Sequence, residues 1–414
     1  MLKLIEAFDA KNGALQDEIW GGVFSEDSEF AAWPSDRNHV VACRLDSENN
    51  RPNTAKAPLV LNCHDTVCSV AFGKFRSSQK RVEEKRVKRG YYGFHTRNET
   101  LLATGLKGGK IRVWSVQTGK LCIDLTDHRS AVKCLKFAPD GSLTLLSGSK
   151  DKTLKLWSLL DDGNMFKSLA EHKHDINSVD WSPCGRLAAS CGNDRTLMVW
   201  DAYSWRLNHK LLKHKHHVIK CGFSEDSAIL ASASRDTTVL IWDPWIGAAL
   251  KVLSHMSPPP RPVFAGGPNG HHVFGMSFCG DGSHLVTLCE SGSLNLWNLY
   301  HLDKPAAQTT IQNGVSCEIS RHQSRLLLSK KDGTIELHEI YANVTPLAHL
   351  CRTKIRTVTD HGNILSLPLP TNLKEFLVYN HLRVSEEPKV ELEKFAEIRG
   401  LALVAQESCV QVKA

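Results

Sequence analysis

Four tryptophans set the frame of this chain. They close the segments "GGKIRVWSV", "DKTLKLWSL", "DRTLMVWDA" and "DTTVLIWDP" at Trp114, Trp157, Trp200 and Trp242, in steps of 43, 43 and 42 residues. "SGSLNLWNL" repeats the pattern at Trp297, and "DGTIELHEI" does so at His338, with imidazole in place of indole. Alternating apolar residues ahead of each aromatic read as strands. A strand unit recurring every ~40–45 residues buries little by itself, so copies must stack, which is the sequence signature of propeller blades.

The three regular units repeat more than a tryptophan. They carry His128, Ser147, Asp151 and Trp157; His172, Ser190, Asp194 and Trp200; and His214, Ser232, Asp236 and Trp242. In each, Ser stands four residues before Asp and Asp six before Trp. Together these features resemble the WD-repeat family. The resemblance implies that the four groups form a buried chain, Asp to His, His to Ser, Ser to the indole N–H, tying a turn to its own blade. The same residue types build hydrolase triads, but three copies at blade spacing argue for architecture.

Counting units gives an all-β, seven-bladed propeller over 1–340, followed by a small α-helical box. The first blade lacks the aromatic signature but reads as strands in "EIWGGVFS", "FAAW", "HVVACRL" and "PLVLNC". The second is interrupted by a basic insert at about 74–99, and the sixth is delayed by a Pro/Gly-rich connection at 255–272. The seventh has three strands and then stops. "LKLIEAF" (2–8) can supply its outer strand and so remove an exposed sheet edge.

Composition narrows the context. Of 414 residues, 42% are hydrophobic and 23% charged, as in a globular protein. Thirteen scattered cysteines without a C-x-x-C pair point to a reducing compartment, cytoplasmic or nuclear, with no disulfides. No window suits a membrane span or a signal peptide. Residues 74–90 carry eight Lys/Arg against two Glu. Without an aromatic platform they read as a solvated loop, so nucleic acid is not an expected partner. No metal or cofactor site stands out.

Past the seventh blade the pattern turns helical. In "LAHLCRTKIRTV" (347–358), Leu347, Leu350, Cys351, Ile355 and Val358 fall within an arc of about 140°, a stripe wide enough to bury. Lys354 intrudes on it; His349, Arg352, Thr353 and Arg356 form the opposite, polar face, and Pro346 suits a helix start. "LSLPLPTNLKEFLVY" follows, with Leu367, Pro368, Leu369 and Pro370 ahead of Leu373, Phe376 and Leu377. The first segment resembles the elongin-binding helix of SOCS-box proteins, and the second resembles that box's cullin-selecting half. A propeller joined to such a box resembles the WD-repeat and SOCS-box-containing protein family. "DDGNMFKSL", "PPPRPVFAGG" and "FSEDSAILASASRDTTVLIWDP" look closer to its first member than to its second. The basic insert and the 381–414 tail depart from the family pattern.

The resemblance implies a box over 344–380 with an elongin-binding helix at 347–358 and a cullin-selecting segment at 364–379. Leu347, Leu350, Cys351 and Ile355 would enter elongin C, which is paired with elongin B. Leu367, Pro368, Leu369 and Pro370 would favour a cullin-five scaffold with its RING subunit. The chain would then be a non-catalytic substrate receptor of a ubiquitin ligase, promoting proteasomal degradation of a protein held on the propeller. One alternative is a plain propeller scaffold whose C-terminal helices pack internally. An enzyme is the third, and no nucleophile, metal cluster or phosphate loop stands apart from the repeats to support it.

Overall fold

The computed structural model describes residues 2–8, 21–45, 58–74, 99–255, 272–340 and 347–382, apart from 281, 301, 322–324, 360, 365, 380 and 381. Most of the basic insert (75–98), most of the Pro/Gly-rich connection (256–271) and the tail from 383 lie outside these residues.

Among the described residues, twenty-eight strands form seven four-stranded antiparallel sheets, the blades of one ring. Six blades run in simple sequence order from the channel outwards. The seventh takes its fourth strand from the N-terminus, where Leu2–Phe8 pairs with Ile335–Ile340 in register from Leu2↔Ile340 to Phe8↔Ile335. That closure gives the last blade a partner for its outer edge. Phe8 also meets Trp33 of the first blade, with ring centroids 4.8 Å apart. The basic insert leaves the second blade between its strands Val67–Lys74 and Thr100–Leu106.

Trp114, Trp157, Trp200 and Trp242 all lie on third strands and are buried. In the third blade Trp157 Nε1–H donates to Ser147 Oγ (2.8 Å), Ser147 Oγ lies 2.7 Å from His128 Nε2, and His128 Nδ1 lies 2.7 Å from Asp151 Oδ2. A carboxylate only accepts, so Nδ1 carries the proton and Nε2 accepts from the serine hydroxyl. The fourth and fifth blades repeat the chain through Asp194–His172–Ser190–Trp200 and Asp236–His214–Ser232–Trp242. Burial opposes ionisation of the three aspartates. Hydrogen bonds from the histidine, a threonine hydroxyl and a backbone N–H outweigh it and hold each carboxyl well below its usual range.

The same aspartates shape their turns. Each accepts the N–H and hydroxyl of the threonine two residues on, Thr153, Thr196 or Thr238. The residue between takes a positive φ: 70° at Lys152, 64° at Arg195 and 70° at Thr237. Gly109, Gly292 and Gly333 hold that place in other blades, with φ of 80–89°. The strain costs a glycine little; where it falls on a side chain, the paired aspartate offsets it.

Innermost strands line a channel of about 550 Å³ through the ring. Lys220 of the fifth blade reaches Glu318 of the seventh at 2.7 Å and the Cys317 carbonyl at 3.1 Å. Burial would raise the Glu318 carboxyl, but the Lys220 charge outweighs it and lowers it.

Candidate functional site

Beyond the ring, the described residues include three helices: α1 (Leu347–Val358), α2 (His361–Ile364) and α3 (Thr371–Leu377). Pro346 lies outside the described residues, as do the side chains of Leu347, Leu350 and Val358.

Sequence periodicity separates α1 into an apolar stripe and a polar face, and a solvent-facing polar face is the ordinary outcome. The structure reverses it. Arg352 is fully buried and Arg356 nearly so, while Cys351 on the apolar stripe is exposed and Ile355 only half-buried. The polar face is the one that docks on the propeller. The reason lies in the partners that fold around those guanidinium groups.

Arg352 is stacked between two rings. Its Cζ lies 3.7 Å from the Phe376 ring centroid and 3.8 Å from that of Tyr379, with Tyr300 of the sixth blade 5.2 Å away. Its planar, weakly hydrated cation suits π faces, and the attraction strengthens once water is excluded. Tyr300 and Phe376 stack in turn, with centroids 6.3 Å apart. Arg356 donates from Nη1 to the Leu377 carbonyl (2.9 Å), tying α1 to α3, and its Nε lies 3.6 Å from Asp226 Oδ2. Asp226, in the turn after the first strand of the fifth blade, also accepts from the Tyr379 hydroxyl at 3.1 Å. Burial first, then the Asp226 charge, push the Tyr379 phenol far above its usual value.

Tyr379 ends α3 with φ of 57°, a left-handed cap rare for an aromatic. Packing holds it there: Tyr379 and Leu382 share one apolar cluster with Ile229, Trp297, Leu299 and Leu302 of the fifth and sixth blades. Ile364 and Leu377 are buried as well. The helices are therefore anchored across two blades through one face.

The other predicted residues stay near the surface. Leu367 and Leu369 are half-buried, Pro368 and Pro370 exposed, and Leu373 of α3 is 46% exposed. The run bends back on itself, Leu367 N–H donating to the Ile364 carbonyl and Leu369 N–H to the Leu367 carbonyl, before Pro370 at φ −55° and ψ 148° stands just ahead of the first turn of α3. Among the described residues, Cys351 of α1, Pro368 and Pro370 of this run and Leu373 of α3 are the exposed apolar members of the two segments, and exposed apolar groups of this kind are candidates for a docking surface.

The histidine sets are placed elsewhere and do other work. Ser147, Ser190 and Ser232 are fully buried, and each hydroxyl is committed between imidazole and indole. No substrate reaches them, so these sets are not hydrolytic triads. Sequence reading missed two degenerate versions. In the sixth blade His255 Nε2 lies 2.8 Å from Thr287 Oγ1, which accepts from Trp297 Nε1 at 2.9 Å. In the second, Trp114 Nε1 donates to Thr104, whose hydroxyl oxygen also lies 3.8 Å from Cys63 Sγ. Both threonines precede their tryptophan by ten residues, as the serines do, and that spacing was the available signal.

Comparison with known proteins agrees with this architecture. The WD domain, G-beta repeat family matches residues 119–158, 163–201, 205–243 and 264–298, and the SOCS box family matches 343–377. WD repeat and SOCS box-containing protein 1 from Xenopus tropicalis is 39% identical over 400 residues, covering 90% of this chain and 93% of its own. The proteins of that name from Homo sapiens and Mus musculus are each 38% identical over 398 residues, with the same coverage. A seven-bladed ring, a C-terminal SOCS box and similarity along nine-tenths of the length place this chain in the WD repeat and SOCS box-containing protein family.

Proposed function

We propose that this protein is a substrate receptor of a cullin–RING ubiquitin ligase. In this reading α1 enters elongin C, paired with elongin B, through Leu347, Leu350, Cys351 and Ile355. Leu367, Pro368, Leu369 and Pro370 meet a cullin-five-type scaffold with its RING subunit, and the propeller holds the protein substrate. The receptor makes and breaks no bond; it raises the effective concentration of substrate lysines near the loaded conjugating enzyme. The cytosol or nucleus is the proposed site of action, in keeping with the absence of disulfides among the twelve described cysteines.

One observation carries the reading. The polar face of α1 is spent on the propeller, through Arg352 and Arg356, and Cys351 on the apolar stripe is left exposed. A scaffold with internally packed helices would bury the stripe instead. Such a stripe needs a partner.

Co-expression with elongins B and C followed by size-exclusion chromatography tests it. The wild-type chain should co-elute with both. Leu347→Ala combined with Cys351→Phe should abolish capture, because truncating an anchoring leucine costs roughly 2–5 kcal/mol, more than thirtyfold in affinity at the low end. The propeller should keep its melting temperature, since this stripe is not its seat. If the double variant still co-elutes, the receptor reading fails.

A further inference from the structure

Each regular blade divides its turn carboxylate between two sets of donors. One oxygen, Oδ1, accepts the N–H and hydroxyl of the threonine two residues on. The other, Oδ2, faces the histidine Nδ1 and accepts the backbone N–H that follows that histidine, at Arg129, Lys173 or Lys215. The sixth blade keeps the histidine and changes the acceptor. Ser291 stands four residues after Thr287 and six before Trp297, the place of the aspartate, and Gly292 takes the positive φ of 80° that follows it. Ser291 Oγ takes the part of Oδ1: it accepts the Ser293 N–H at 3.3 Å and lies 2.9 Å from the Ser293 hydroxyl. A hydroxyl has no second oxygen, so nothing in this turn takes the part of Oδ2.

His255 is the group this leaves stranded. It is only 8% exposed, and its Nε2 is tied to Thr287 at 2.8 Å. Thr287 accepts the Trp297 indole N–H and, as in the regular blades, gives its own proton to Nε2, so Nδ1 carries the ring N–H. That nitrogen is buried and meets no hydrogen-bond partner among the described residues. Burial holds the imidazole down at about 4, so near neutral pH it is an N–H donor and not a cation. A buried donor without an acceptor destabilises the fold that contains it.

The second blade does not carry this mismatch. There Gly108 takes the place of the aspartate and Cys63 that of the histidine, so donor and acceptor are lost together. Its Gly108 N–H is met by a carboxylate from outside the turn, Asp65 Oδ2 at 2.8 Å. In the sixth blade no neighbour in sequence sends one. Residues 256–271 contain neither Asp nor Glu, and Glu290 is exposed and turned toward His272 at 3.9 Å. Ser291 is exposed, so its turn is open to solvent, and neither His255, Ser291 nor Ser293 lines the channel.

We propose that the turn at Ser291 is a carboxylate-binding site, where one oxygen of an incoming carboxylate accepts from His255 Nδ1 and completes the sixth blade's network from outside. The carboxylate belongs either to a small free organic acid or to an aspartate or glutamate side chain of a bound protein. An anion suits the site better than a neutral acceptor, because a hydrogen bond to a charged oxygen is roughly twice as strong. The same donor set keeps Asp151, Asp194 and Asp236 ionised in the regular blades.

Thermal melts of the full chain at neutral pH in rising sodium acetate test this, with ionic strength held by sodium chloride and acetamide as the neutral counterpart. Acetate should raise the melting midpoint saturably, as a ligand of the folded state does, and acetamide should not. Ser291→Asp supplies the carboxyl within the chain; it should melt roughly 2–4 °C above wild type and lose the acetate response. His255→Asn should lose the response too, and if that variant does not fold, Ser291→Asp still decides. N-acetyl-aspartate N-methylamide in place of acetate separates the two sources. An equal or larger shift assigns the site to a protein side chain; a smaller one, with acetate still active, assigns it to a free acid. A midpoint indifferent to acetate overturns the proposal, as does a Ser291→Asp variant that responds like wild type or melts no higher. A response that appears only in Glu290→Gln shows that Glu290 fills the site within the chain, and overturns the outside ligand.

Discussion

Asp194 shows how much of a blade one side chain can organise. It faces His172 Nδ1 at 2.8 Å and accepts the backbone N–H groups of Lys173 and Thr196 and the Thr196 hydroxyl. Asp194→Ala strands a buried imidazole and frees a left-handed turn, at a cost of about 1–3 kcal/mol. A lower urea midpoint at unchanged slope would register it, and wild-type stability would contradict the network. His255 works differently, for it has no aspartate: Ser291 stands where the turn carboxylate would be. Burial lowers its imidazole to about 4 from an ordinary 6.5. The unfolded chain therefore binds a proton below pH 6.5 that the folded chain refuses until pH 4, and stability falls as pH drops through that window. His255→Asn should retain on the order of 2 kcal/mol more of its stability than wild type between pH 7 and 5. His216 and His217, also lowered, act in the same direction but stay in both proteins and cancel in the comparison. Parallel melting curves across that range would refute the assignment.

Elements were legible wherever their cause is local. Strand positions follow from alternation, blade phase from the tryptophan spacing, and α1 from a stripe that period 3.6 exposes at once. Closure by residues 2–8 was legible because a three-stranded last blade leaves an edge that must be covered. What lies under the polar face of α1 was not. Arg352 and Arg356 read only as members of a polar face, because their partners are remote: Asp226 lies 130 residues before Arg356 and 153 before Tyr379. Periodicity names the two faces of a helix without naming which is inside, since a guanidinium between rings can be as buried as a leucine. The segment before α3 belongs to the same scale. Leu367→Ala with Pro368→Ala changes one half-buried and one exposed residue of a bent run outside α1. Such a variant should capture elongins as wild type does yet bind a cullin-five scaffold more weakly in pull-down. Equal losses of both partners would show that the segment supports the box as a whole.

At the scale of the molecule, the receptor reading asks the box and the ring to hold one direction relative to each other. A receptor raises lysine concentration near the conjugating enzyme only as far as the join between box and ring keeps direction, because a loose join spreads the substrate over a larger volume. Here the join is Arg352 between Phe376 and Tyr379, with Arg356 and Asp226 beside it. Arg352→Ala removes contacts worth roughly 0.5–2 kcal/mol each and opens a space that two rings cannot refill without moving. The stripe proposed to meet elongin is on the other side of α1 and is untouched. This variant should therefore keep elongin capture and substrate affinity while ubiquitin transfer slows. Hydrogen exchange should quicken in α3 and in the Asp226 turn and stay slow in the third and fourth blades. Arg352→Lys should rescue only in part, because an ammonium lacks the plane that stacks. If elongin capture disappears with the arginine, the join is a folding element of the box. If transfer and exchange both hold at wild-type values, the direction of the box is set elsewhere.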